Sequence, residues 1–128
     1  MIVDTSVVVA IVHREPDFEE LVERIGAAPA VGIGTPTLVE AGIVVEARLQ
    51  IDSQSLLDRL LSDFEITRVP FGEQHWREAV RAFRRYGRGR HPAQLNFGDC
   101  MAYATAQLAG EPLLFVGDDF IKTDITPA

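Results

Sequence analysis

Short β-branched or apolar runs alternate along this chain with longer stretches whose apolar residues recur at helical spacing. Ile2-Val3 is followed by Asp4-Thr5-Ser6, a helix-starting sequence, and by apolar residues through Val12; the pattern predicts a strand running directly into a helix. Pro16 opens a second helix, in which Phe18, Leu21, Val22 and Ile25 stand at i, i+3, i+4 and i+7 and the other face is acidic. Residues 30–33 read as a strand. Thr35-Pro36 then supplies an N-cap and a proline at the first helical position, which predicts a helix over 36–50.

The same alternation continues to the C-terminus. Residues 53–62 form an amphipathic helix with Leu56, Leu57, Leu60 and Leu61 inward, and 65–69 alternate as a half-buried strand that Pro70 stops. Helical spacing returns over 73–86, with Trp76, Val80 and Phe83 on one side and Arg77, Arg81, Arg84 and Arg85 on the other. A loop follows. A helix over 97–108, capped by Asn96, then leads to a short apolar strand over 112–116 that ends at Gly117-Asp118-Asp119. The order β-α-α-β-α-α-β-α-α-β predicts an α/β fold, a mostly parallel sheet covered on both faces. Ligands of such sheets bind beyond the carboxyl ends of the strands, at the point where the strand order reverses.

Composition narrows this picture. A chain of 128 residues, 47% hydrophobic, suits a single domain spanning 1–128. No window approaches the ~18 apolar residues of a membrane span, and Met-Ile-Val-Asp carries an acid where a secretory signal carries bases, so the expectation is a cytosolic protein away from membranes. Cys100, the single cysteine, reads as a packed thiol. The net charge of −7 argues against an indiscriminate polyanion binder. The bases are nonetheless concentrated: Arg77, Arg81, Arg84, Arg85, Arg88 and Arg90 lie in one stretch that ends with His91.

The candidate chemistry is acidic. Asp4 follows the first strand, Asp118 and Asp119 follow the last, and Asp99 lies in the first turn of a helix, so all can share one edge of the sheet. Converging carboxylates repel one another unless a cation neutralises them, and an oxygen-only donor set favours Mg²⁺, with Mn²⁺ as a substitute, over Zn²⁺. Each acid also has a structural reading: Asp4 as a helix cap, Asp99 as the partner of Asn96 in a capping box, Asp118-Asp119 as a turn. Glu40 resists that treatment, because its helical neighbours Pro36, Ile43 and Val44 include no base.

Four blocks taken together carry a resemblance: Met-Ile-Val-Asp-Thr-Ser at the start, Glu40 within Thr-Leu-Val-Glu-Ala, Leu95 to Ala104, and Pro112 to Phe120 with Lys122-Thr-Asp-Ile. In this order and at these separations they resemble the PIN-domain ribonucleases, specifically the VapC-type toxins of bacterial toxin-antitoxin pairs. The resemblance implies a three-layer α/β/α domain and a metal site on Asp4, Glu40 and Asp99. Its fourth acid is Asp118 or Asp119, and Asp118 is favoured. Thr5, Ser6 and Asn96 are implied to orient ligands or waters. The implied activity is Mg²⁺-dependent hydrolysis of RNA phosphodiesters, leaving a 5′-phosphate and inhibiting translation, in a homodimer neutralised by a VapB-type antitoxin. Arg85, Arg88, Arg90 and His91, close in sequence to Asp99, are the candidates for holding RNA. Two rivals remain at this point: a catalytically silent scaffold that binds RNA or protein, and a metal-free ribonuclease using His13, His75 and His91.

Overall fold

The computed structural model describes residues 1–128. Ten elements follow in the anticipated order: β1 (Ile2–Val3), α1 (Thr5–His13), α2 (Phe18–Ala27), β2 (Gly32–Gly34), α3 (Thr35–Leu49), α4 (Ser53–Asp63), β3 (Thr67–Val69), α5 (Glu73–Tyr86), α6 (Phe97–Ala109) and β4 (Leu113–Leu114). The four strands form one sheet in the order β3-β2-β1-β4, and every pairing is parallel. The chain therefore builds outward from β1 on one side and then crosses to add β4 on the other. The reversal lies between β1 and β4.

Alternation within the two-residue strands divides the core into two layers. Ile2 and Leu113 face the side covered by α5 and α6, with Ala79, Ala82, Tyr86, Tyr103 and Phe120. Val3 and Leu114 face the opposite side, with Val7, Val8, Ile25, Ile33, Leu57 and Leu61 from α1, α2, β2 and α4. Successive strand residues point to opposite faces, so both faces are apolar and both are covered. The fold is thus the three-layer α/β/α arrangement expected from the sequence. No helix is long and apolar enough to cross a membrane.

Several boundaries move. The strand read over 30–33 is displaced to Gly32–Gly34, because ladder pairing with Ile2 and Thr67 defines it rather than the apolar run. Thr35 is the first residue inside α3 and Gly34 is its cap, with no side-chain hydrogen bond. The strand expected over 65–69 shrinks to Thr67–Val69, since Glu65 takes a left-handed φ of 52° and breaks extension. The Asn96 cap and the helix over Glu73–Tyr86 are as read.

Candidate acidic active site

Asp4 leaves β1 and caps α1 in the same step. Its Oδ2 accepts from the Ser6 amide at 3.0 Å and from Ser6 Oγ at 2.6 Å, while its own amide donates to Leu114 O at 3.0 Å. Ser6 Oγ also accepts from the Val116 amide at 3.0 Å. One hydroxyl thus ties the acid after β1 to the segment after β4, across the reversal point of the sheet. Asp99 sits in α6 with the capping box predicted for it: Asn96 N donates to Asp99 Oδ2 at 2.7 Å, and Asp99 N donates to Asn96 Oδ1 at 2.9 Å. Glu40 projects from α3, and Thr5 Oγ1 donates to its Oε2 at 2.6 Å.

The position of Glu40 depends on a missing β-carbon. A Cβ at Gly98 would overlap both carboxylate oxygens of Glu40 and its Cδ. Glycine at 98 therefore lets the α3 carboxylate lie against the first turn of α6, next in sequence to Asp99. The three side chains share a cavity of about 300 Å³ whose lining also includes Thr5, Ser6, Val9, Glu15, Val44, Arg48, Val116 and Asp119.

Asp4, Glu40, Asp99 and Asp119 take part in none of the ion pairs of the protein. Asp4 is 6% exposed and its carboxyl is raised above the usual carboxylate range by burial, against the pull of its Ser6 hydrogen bonds. Burial also pushes Asp99 up to about 6; the Asn96 amide opposes that, and the charges of Asp4, Asp119 and Glu40 add to it. These acids gain little from their protein surroundings in the charged form.

Their donor chemistry suits a hard divalent cation. Every candidate ligand atom is a carboxylate oxygen. Glu40 and Asp99 each commit one oxygen to the fold and receive no hydrogen bond from the protein on the other. As the side chains stand, no three of them close into a ligand cluster. Ionised carboxylates lining one cavity repel one another, and a divalent cation would offset that repulsion.

Of the two acids after β4, Asp119 is the one that joins Asp4, Glu40 and Asp99 in lining the cavity. Both neighbours are exposed, but Asp119 lines the cavity and its charge bears on Asp99, whereas Asp118 stands outside the lining, its carbonyl accepting from the Ile121 amide in the turn. The sequence favours Asp118 for this place, and the structure sets Asp118 outside the lining. Gly117, at φ 96°, turns the chain there and shifts which of the two neighbours faces inward.

Arg85, Arg88, Arg90 and His91 do not line the cavity. Arg85 pairs with Asp124 at 3.1 Å and stacks on Tyr86, Arg90 stacks on Phe83, and His91 Nδ1 accepts from the Ala93 amide. None of the three histidines reaches the cavity, so the residues of a metal-free acid-base pair are not brought together there. Cys100 is buried, and its thiol is pushed up to about 11 by burial, as expected of a packed thiol. Two charged lining residues, Glu15 and Arg48, stand outside the candidates named from the sequence. The signal for Arg48 was present, since Glu40, Val44 and Arg48 recur every four residues along one face of α3.

Comparison with known proteins agrees with this fold. The PIN domain family model matches residues 1–125. Ribonuclease VapC42 of Mycobacterium tuberculosis is 46% identical over 129 residues, covering 100% of this chain and 98% of its own. Among solved structures, VapC20 of M. tuberculosis, described as a sarcin-ricin loop cleaving toxin, superposes with a TM-score of 0.78 at 15% identity, covering 99% of this chain and 97% of that one. A toxin-antitoxin complex from Klebsiella pneumoniae superposes with a TM-score of 0.72 at 18% identity, covering 99% and 97%. With a family model and a relative of this similarity both spanning the chain, the protein belongs to the PIN-domain family and, within it, to the VapC ribonucleases.

Proposed function

We propose that this protein is a cytosolic endoribonuclease of the VapC toxin type, which hydrolyses RNA phosphodiesters at the acidic cavity with Mg²⁺, or Mn²⁺ in its place, and so inhibits translation. The observation that carries the reading is the convergence of Asp4, Glu40, Asp99 and Asp119 at the reversal point of the sheet with no base paired to any of them. Asp4, Asp99 and Asp119 would hold the cation, with Glu40 completing the set. When bound, the ion supplies charge neutralisation and Lewis-acid activation of the attacking water.

The rest of the work falls to the chain itself. Ser6 keeps Asp4 ionisable and in register with the β4 loop, and Asn96 orients Asp99 through the capping box. Thr5 holds one oxygen of Glu40, which leaves the other to orient a water or take its proton. Regulation by a VapB-type antitoxin belongs to the same proposal; the likeness to a toxin-antitoxin complex supports it. Homodimer formation is part of this proposal too. We assign the second copy to the open apolar face of α5 and α6, around Trp76, Val80, Phe83 and Phe97, which α5 flanks with both Glu73, Glu78 and Arg77, Arg81. Such a mixed-sign border can pair with itself across a twofold axis. Light scattering should show a dimer that Val80→Arg converts to monomer.

The test of the activity is cleavage of cellular RNA by the purified protein with Mg²⁺, with and without chelator, followed by mapping of the new 5′ ends. Phosphorylated 5′ ends are expected, abolished by EDTA and by Asp4→Asn. Cleavage that survives chelator and leaves 2′,3′-cyclic phosphates would overturn the metal reading. Unchanged cleavage or growth inhibition by Asp4→Asn would favour the silent scaffold.

A further inference from the structure

A cavity lined by Asp4, Glu15, Glu40, Asp99 and Asp119 repels a polyanion, and the basic residues nearest in sequence to Asp99 do not line it. One cation does. Arg48 stands two turns along α3 from Glu40 on the same face, about 12 Å in axial rise, with Val44 between them. Its only ionic partner is Glu15, from the turn after α1, at 3.6 Å, and the two side chains are 55% and 41% exposed. That pair is long, single-contact and open to water, so it adds little to stability and exchanges readily.

We propose that Arg48 is a substrate-binding residue that takes an RNA phosphate flanking the scissile one, with Glu15 holding the guanidinium over the cavity until the phosphate displaces it. This rests on the ribonuclease reading above. A guanidinium is suited to the role because it binds phosphate oxygens through two parallel hydrogen bonds, a better geometry than its present contact with Glu15. Its distance from Glu40 along α3 separates it from the reacting atoms, so its contribution falls on substrate affinity. The competing account is structural: a base in the last turn of α3 complements the helix dipole and pairs with Glu15.

Binding of a fluorescein-labelled, mixed-sequence single-stranded RNA to the inactive Asp4→Asn protein separates these accounts, alongside cleavage by the active protein. Adding Arg48→Ala should weaken binding roughly tenfold and lower the slope of log affinity against log salt by roughly 0.7, the value for one phosphate contact on a single strand. In the active protein the loss should fall on KM rather than kcat. Arg48→Lys should restore part of the affinity, and Glu15→Gln, by freeing the guanidinium, should tighten binding. Thermal melts of each variant identify any that is misfolded, and Arg48→Lys carries the test if Arg48→Ala is. Unchanged affinity and salt slope in a folded Arg48→Ala protein would overturn the proposal. If the active protein cleaves no RNA, or Asp4→Asn cleaves as well as the wild type, the ribonuclease reading is what fails, and the proposal with it.

Discussion

Asp124 and Asp99 are aspartates of one small protein held in opposite ways. Asp124 gathers donors: Tyr103 Oη donates to its Oδ1 at 2.6 Å, Arg85 donates to Oδ2 at 3.1 Å, and Gln107 approaches at 3.5 Å. The Tyr103 hydroxyl, with Arg85 assisting, keeps its carboxyl below the usual range. The result is a clasp that binds the C-terminal segment to α5 and α6. Asp99 has one backbone donor and three acidic neighbours, and its carboxyl is pushed the other way. Acids that hold a fold together are satisfied by it; acids left unsatisfied lower stability unless something from outside completes them.

The two kinds of acid separate most sharply at Asp99. Asp99→Asn keeps an acceptor for the Asn96 amide but removes a charge, so RNA cleavage should drop roughly 10³-fold, while the metal-free protein melts a few degrees higher by calorimetry. The sign follows from linkage. Asp99 binds its proton more tightly in the folded chain than in the unfolded one, so the native state holds more protons between about pH 4 and pH 6 and wild-type stability falls as pH rises through that window. The full effect amounts to up to about 3 kcal/mol. Asp99→Asn should flatten the slope, and MgCl₂ should raise the wild-type Tm but not that of the variant. A variant that loses activity and stability together would place Asp99 with Asp124 among the structural acids.

A smaller effect is expected at Gly98. Alanine there would displace Glu40 without touching any charge, and a shift of about 1 Å in a working group costs roughly 10²-fold in rate. Single-turnover cleavage by Gly98→Ala, set against its melting curve, checks this; wild-type rates would mean that Glu40 has no positional role. The smallest effect should come from the clasp. Asp124→Asn weakens charge-assisted hydrogen bonds that are partly open to water, so a loss of about 1 kcal/mol in urea unfolding is expected, with RNA cleavage within about twofold of wild type.

Much of this is legible in the sequence. All ten elements and their order follow from apolar periodicity, because one buried face per element leaves a regular mark on the sequence. The capping box at Asn96 and Asp99 was readable from spacing alone, as both partners lie within one helical turn. Strand limits were not, since the apolar run at 30–33 and the alternation at 65–69 report burial while the ladder is set by neighbouring strands. The placement of the arginines was also hidden. Arg85 lies close in sequence to Asp99 but closes on Asp124, while Arg48, remote from both, lines the cavity.

The elements, the two apolar layers and the identity of the acids follow from the sequence alone, because they depend on residue type and on spacing within one helix or strand. Which acids meet is a matter of packing between distant segments. Asp119 rather than Asp118 enters the cavity because Ser6 anchors Val116 and Gly117 turns the chain just beyond it. Glu40 reaches the neighbourhood of Asp99 because position 98 has no side chain to exclude it. Both depend on contacts between segments distant in sequence, with distances set by packing, which local periodicity does not encode.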